Sequence, residues 1–459
     1  MDIIICGAGQ VGRSIAQQLS RENNSVTVID KDPMIIAEIN NSLDVKGVVG
    51  YASHPSVLEM ANASDCDMLI AVTHSDEVNM VACQVAHALF NVPVKVARVR
   101  HPDYLEPAWQ ELYSHQHLPI DVIISPEMVV AAAIMRRLHI PGALDSVPFA
   151  EGNIQMLGIK CESGAHLSNL PIKIVQERLH KHQIALLGIA QHGKFLLPNA
   201  NGMLHEQDVI YCVMTKDKVT KLLGLCGHHE QEARRLIILG GGNIGLTIAE
   251  TIEEEGKAVN MKLIELNRER CEYIYSVLDS NTTIVNGSGL NKDILHECDI
   301  DTAEAFVAVT NDDKVNILAS LLAKKLGCKR TITLVNTNSY IPMLENLGID
   351  VLVNPRETTV STILRYIRRG KISGVYSLMD GAAEIIEAEV DTKSKLLGKV
   401  IGHLSLPKNM HLAAIWRDNQ LVIPQPHDIL HEKDHVIMIG MSDVVKQMEQ
   451  YFAATSQHF

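Results

Sequence analysis

Gly7, Gly9 and Gly12 stand in the run Gly7-Ala8-Gly9-Gln10-Val11-Gly12, directly after the apolar residues Ile4-Ile5-Cys6. Val11, Ile15 and Leu19 then follow at helical spacing. Glycines so placed after a strand do three different things. The first allows a tight turn, the second lets the backbone approach a pyrophosphate, and the third lets helix and strand pack closely. The helix N-terminus behind them presents free N–H groups and the positive end of its dipole to phosphate. Asp30 closes the next apolar run, Val26-Thr27-Val28-Ile29. A carboxylate there accepts hydrogen bonds from an adenosine ribose and repels a 2′-phosphate. The expected ligands are therefore NAD(H) or ATP/ADP rather than NADP(H).

The same chemistry is written twice. Ile237-Ile238-Leu239-Gly240-Gly241-Gly242-Asn243-Ile244-Gly245 repeats the first run at an offset of 233 residues (from 7 to 240), with Ile248 and Ile252 continuing the helical pattern. Glu265 takes the place of Asp30. Thr73-His74-Ser75-Asp76-Glu77-Val78-Asn79 likewise matches Thr310-Asn311-Asp312-Asp313-Lys314-Val315-Asn316. In both, a strand end meets a helix start, where short polar side chains cap free N–H groups. Thr73, His74 and Thr310 are also expected at the ligand crevice, since ligands of such sheets bind at the strand carboxyl ends. Arg98 breaks the symmetry. It falls in Val94–Val99, the fourth strand read in the first copy, and Leu334 stands opposite it in the second. An arginine there reaches a phosphate and a leucine does not; the alternative is that Arg98 pairs with a surface carboxylate.

Positioning these residues requires a parallel sheet. Short apolar strands (Ile3–Cys6, Val26–Ile29, Met68–Val72, Val94–Val99, Val122–Ile124) alternate with amphipathic stretches up to Pro126. Met261–Ile264, Ala305–Val309, Thr331–Val335 and Val351–Val353 repeat that order before Pro355. Such alternation implies strands covered by helices on both faces. After each sheet the pattern changes to hairpins, 190–198 and 415–424. Each leads to a Leu-His-Glu-x-Asp turn, Leu204–Asp208 and Leu430–Asp434, and a last apolar strand. The expected fold is α/β. Two Rossmann-like doubly wound domains, 1–140 and 232–370, are each followed by a small α+β domain, 147–226 and 375–459. The polar stretch Gly227–Glu232 is the linker between halves.

Composition excludes several functions. The 459 residues carry a formal net charge of −13, which disfavours nucleic acid and anionic lipid alike. The basic run Arg365–Lys371 reads as a solvated helix end. No run approaches the roughly 20 apolar residues that span a bilayer, and the start reads as a strand rather than a signal peptide. Nine cysteines without a C-x-x-C pair read as reduced core residues of a cytoplasmic protein. The paired histidines lack further ligands at metal-binding spacing, so no metal is expected. Neither Tyr-x-x-x-Lys nor Gly-x-Ser-x-Gly occurs, and no further catalytic domain follows the nucleotide unit. A duplicated NAD-dependent oxidoreductase is therefore the weaker alternative to a non-enzymatic sensor.

With glycine fingerprint, strand-end acid, Ala71-Val72-Thr73 and Ala308-Val309-Thr310, and the small module each present twice, the chain resembles the TrkA family. These are the cytoplasmic nucleotide-binding subunits of bacterial Trk potassium uptake, built from tandem KTN/RCK modules. The resemblance covers Met1 to about Phe452. It implies binding of NAD(H) and adenine nucleotides through Gly7, Ala8, Gly9, Gln10, Val11, Gly12 and Asp30, and through Gly240, Gly241, Gly242, Asn243, Ile244, Gly245 and Glu265. It also implies a homo-oligomeric ring, a tetramer, beneath a membrane-embedded potassium-translocating subunit. In one respect the chain departs from the family. Gly50-Tyr51-Ala52-Ser53 and Gly287-Ser288-Gly289 lack the acidic residue often found in the turn after the third strand.

Overall fold

The computed structural model describes residues 1–452 apart from 22–23, 115–116, 199–200, 230–231, 280, 345–346, 368–371, 380 and 393. Most of the basic run, part of the linker and His115 thus lie outside the described residues. The first copy comprises strands β1 (Asp2–Cys6), β2 (Ser25–Asp30), β3 (Lys46–Val49), β4 (Met68–Ala71), β5 (Val94–Arg98) and β6 (Val122–Ile124). Its helices are α1 (Gln10–Arg21), α2 (Pro33–Ser42), α3 (Pro55–Met60), α4 (Asp76–Phe90) and α5 (Pro126–His139). The strands are all parallel, in the order β3-β2-β1-β4-β5-β6. This order reverses between β1 and β4, the switch point where doubly wound sheets bind ligands. The strand β3 is not among the apolar runs read from periodicity, only implied by the family turn at Gly50, so Arg98 lies in the fifth strand and not the fourth.

Strand periodicity sends alternate residues to opposite faces. Ile3, Ile5, Val26, Val28, Ile70 and Val96 pack with Ile15 and Leu19 of α1. On the other face Ile4, Cys6, Ile29, Leu69 and Ala97 pack with Leu58, Met80, Cys83 and Ala86. Burial on both faces is why these strands read as unbroken apolar runs. Each such leucine or isoleucine contributes about 1.5–3 kcal/mol by leaving water. The second copy has the same parallel order, with Arg235–Leu239 and Ala305–Ala308 at its centre.

The two small sheets are antiparallel and five-stranded with a common topology. In the first, Ala185–Gln191 pairs with Lys194–Leu196 around His192 and Gly193, both at positive φ. In the second, Met410–Arg417 pairs with Gln420–Val422 around Asp418 and Asn419, also both positive. Two consecutive left-handed residues match the twist of a two-residue hairpin. The Leu-His-Glu-x-Asp turns are explained by their aspartates. Asp208 accepts from the His205 N–H (2.7 Å) and from Gln191 of the hairpin. Asp434 accepts from the His431 N–H (2.7 Å) and from Arg417 Nε and Nη2 (2.7 and 2.6 Å). All nine cysteines are buried and free.

By contacts the chain forms two compact units, each drawn from both halves of the sequence. One joins Met1–Ala132 with Arg235–Ile367, and the other joins Ala133–Arg234 with Arg368–Phe459. In the first unit, Val360 and Ile363 of the Pro355–Ile367 helix enter the apolar cluster of Ile15 and Leu19. In the second, Val147, Phe149, Ile154 and Val213 share a core with Leu378, Ile385, Ala413 and Ile437. Glu387 there accepts from the Ala150 N–H (2.9 Å), and the Tyr376 hydroxyl donates to Asp145 (3.0 Å).

Candidate functional site

The glycine turn between β1 and α1 is shaped by its neighbours. A Cβ on Gly12 would stand 1.9 Å from the Gly7 carbonyl oxygen, and one on Gly7 would stand 3.0 Å from the backbone of Thr73. Gly7 also has φ +105°, which only glycine adopts without strain. Gly9 is different: nothing lies within 4 Å of the place its Cβ would take. The second copy repeats the contrast, with Gly245 at 1.9 Å from the Gly240 oxygen and open space at Gly242. The fold itself therefore demands the outer glycines and not the middle one, which is exposed in both copies.

The strand-end acids brace this turn. Asp30 accepts from the Ala8 N–H (2.7 Å) and the Asp32 N–H (3.0 Å). Glu265 does the same with the Gly241 N–H (2.7 Å) and the Asn267 N–H (2.8 Å). Each carboxylate oxygen keeps a lone pair for a further donor such as a ribose hydroxyl. Gln10 and Asn243 begin their helices and are exposed, while Val11 and Ile244 turn partly inward. By helix geometry the amides of these first turns have no partner within the helix.

Thr73 and Thr310 meet the glycine turns through their backbones, and their hydroxyls face elsewhere. The Thr73 Oγ1 donates to Asn79 Oδ1 (2.7 Å), which also accepts the Thr73 N–H (2.8 Å). Fully buried Asn79 in turn donates from Nδ2 to the Thr73 and Arg98 carbonyls (3.3 and 2.9 Å). Thr310, Asn316 and the Leu334 carbonyl reproduce this clasp. The clasp ties the loop before α4 to the end of β5. Helix capping occurs as the sequence implied, by Ser75 on the Val78 N–H and by Asp312 on the Lys314 and Val315 N–H groups. His74 is exposed on the loop.

Arg98, the last residue of β5, is only 5% exposed. Its Nη2 donates to the Thr73 carbonyl, while its Nε is buried without a hydrogen-bond partner. Among the described residues it makes no ion pair, although the charges of Glu127 and Asp76 act on it. Burial, with the positive charge of Arg100 adding, pushes its pKa down to about 10, which leaves it charged at neutral pH. A buried charge with an unmade hydrogen bond is costly. A phosphate oxygen is one acceptor that would satisfy it.

Several residues at the site escaped the sequence reading. Asp76 accepts the Arg100 and His101 N–H groups (2.8 and 2.9 Å) and so fixes the path of the chain leaving β5. The Arg100 Nε, itself without a hydrogen bond, lies 3.7 Å from Glu127 Oε1. In the second copy Asp313 holds the Asn336 and Thr337 N–H groups (both 2.9 Å). Leu334 and Asn336 thus replace Arg98 and Arg100. The second copy has its own cation, Arg270, whose Nε donates to the Gly241 carbonyl (2.7 Å) and whose guanidinium lies over the Tyr273 ring. One crevice is cationic at the strand ends and the other beside the glycine turn. The shared positions of Asp76 and Asp313, and of Asn79 and Asn316, were the signal available in the sequence.

Comparison with known proteins bears on both halves. The TrkA-N domain profile matches residues 3–126 and again 236–355, and the TrkA-C domain profile matches 385–453. The Trk system potassium uptake protein TrkA of Azorhizobium caulinodans is 42% identical over all of both chains. That of Halomonas elongata is 38% identical over 95% of each. Among solved structures, the GsuK RCK domain matches with a TM-score of 0.61 at 21% identity, over 98% of this chain and 94% of that one. The GsuK channel bound to NAD matches with a TM-score of 0.61 at 19% identity, over 98% and 78%. At such identities these two likenesses are of fold. No helix among the described residues is long and apolar enough to cross a membrane.

Proposed function

The chain belongs to the TrkA family of regulatory, non-catalytic potassium uptake proteins, and from that premise we propose that it is a cytoplasmic subunit that sets potassium flux according to bound nucleotide. It lies on the inner face of the membrane as a homo-oligomeric ring, a tetramer, under a membrane-embedded potassium-translocating partner of the Trk type. Four modules, 1–140, 147–226, 232–370 and 375–459, carry the ring and its two crevices. NAD(H) and ATP/ADP bind between the glycine turns and the strand ends. The first crevice takes them through Gly7–Gly12, Asp30, the Thr73 loop and Arg98, and the second through Gly240–Gly245, Glu265 and Thr310. The relative of known structure named above as bound to NAD supports this ligand class.

One observation carries the reading: a buried, unpartnered Arg98 Nε at the end of a sheet whose glycine turn leaves open space at Gly9. Neither feature serves the fold, and both serve a phosphate brought close to the backbone. The crevices differ in the position of their cations, so they bind nucleotides with different preference. Nucleotide alters flux only insofar as it binds two ring states with unequal affinity.

Calorimetric titration with NADH, NAD, ATP and ADP tests this, on the native protein and on Gly9→Asp and Gly242→Asp variants. The expected result is binding without turnover, with each variant losing a separate component. Absence of binding by any of the four nucleotides would overturn the proposal.

A further inference from the structure

The Pro355–Ile367 helix belongs to the second copy, yet it packs on α1 of the first, with Val360 and Ile363 beside Ile15 and Leu19. Its first turn carries Arg356, whose N–H is held by the Asn354 side chain (3.0 Å). Arg356 Nε donates to the Ser14 hydroxyl, 342 positions away in sequence. Ser14 in turn donates to the Gln10 carbonyl (2.9 Å) in the first turn of α1. The arginine is therefore anchored one helical turn, about 5.4 Å, behind the amides that follow the glycine fingerprint. Among the described residues it makes no ion pair. The first copy thus has two guanidinium groups without an ion pair among the described residues: buried Arg98 at the end of β5, and Arg356 of the second copy, tied through Ser14 to the first turn of α1.

The matching position in the first copy, also just after a proline, is Glu127. Its carboxylate stays with Arg100 of its own copy. A carboxylate would repel a phosphate where Arg356 attracts one, so the arrangement is one-sided. We propose that Arg356, supplied by the second half, completes the phosphate site of the first half, which thereby selects nucleoside di- and triphosphates over uncharged nucleosides. This rests on the nucleotide-binding reading above and adds a residue that couples the halves. A polyphosphate bound in the first crevice is gripped by both halves.

The test is equilibrium binding of ATP and of adenosine to the full chain as native protein, Arg356→Gln and Arg356→Lys. Losing a charge-assisted fork to phosphate is expected to weaken ATP on the order of tenfold, with adenosine unchanged. Lysine, which keeps the charge without the fork, restores part of the loss. A purely structural tie to Ser14 would change both ligands alike or neither. An unchanged ATP-to-adenosine ratio in both variants overturns the inference while leaving the nucleotide site intact. Absence of ATP binding to the native protein would instead remove the site itself. If Arg356→Gln does not fold, Arg356→Lys against the native protein reads the same ratio.

Discussion

Replacing Arg98 by leucine, the residue the second copy already has at that place, should raise stability and lower affinity together. The side chain is 5% exposed, lacks an ion pair among the described residues and leaves its Nε unbonded. An unmet buried hydrogen bond costs about 1–3 kcal/mol, and replacing buried charge by packed apolar atoms is neutral or stabilising by about 1–4 kcal/mol. The Thr73 carbonyl loses the arginine donor but keeps the Asn79 amide at 3.3 Å, so the loop stays tied. Leu334, 3% exposed at the matching strand end, shows that leucine fits. The ligand-free variant should therefore be more stable by about 1–3 kcal/mol. A hydrogen bond between charged groups is worth about 1.5–3 kcal/mol, so ATP affinity should fall by about 10–100-fold. Thermal melting without ligand and ATP calorimetry read the two effects. A variant that melts lower and binds ATP as before would refute the argument and make Arg98 a strut for the Thr73 loop.

The glycines should separate in the same way. Gly12→Ala forces a Cβ to 1.9 Å from a carbonyl oxygen and should unfold or strongly destabilise the first sheet, whereas Gly9→Ala should melt normally and lose nucleotide; circular dichroism melts with and without ATP distinguish them. In the small sheets, burial and then the charge of His180 hold the pKa of His411 down to about 4, against an ordinary 6.5. The unfolded chain thus takes up this proton below about pH 6.5 and the native chain only near pH 4, so native stability falls as pH drops through that window. Urea unfolding at pH 7.5, 5.5 and 4.5 should show the decline, and His411→Gln should reduce it.

Legibility in the sequence followed local physics. Gly7, Gly12, Asp30 and their counterparts could be read because each stands in a short local pattern, a strand-turn-helix or the acidic end of an apolar strand. The β3 strand could not, since only Val48 of its four residues is buried and so short an edge strand carries little apolar signal. Asn79 was visible in a repeated string, but its duty joins a loop to a strand 19 positions later. Arg98 was suspected from type and place. That it makes no ion pair among the described residues depends on neighbours brought in from other elements.

The amino-acid sequence by itself determined the duplication, the four modules and the two glycine turns, because these follow from periodicity and backbone sterics over a few residues. The tertiary structure alone decided that like modules join across the chain: the sheet domains in one unit, the small domains in the other. Periodicity states that Val360 and Ile363 must be covered, not that Ile15 and Leu19 cover them. Apolar burial is non-directional, so the partner is settled by shape and chain path. That choice is also what places Arg356 against Ser14, in the helix that follows a glycine turn in the opposite half of the sequence.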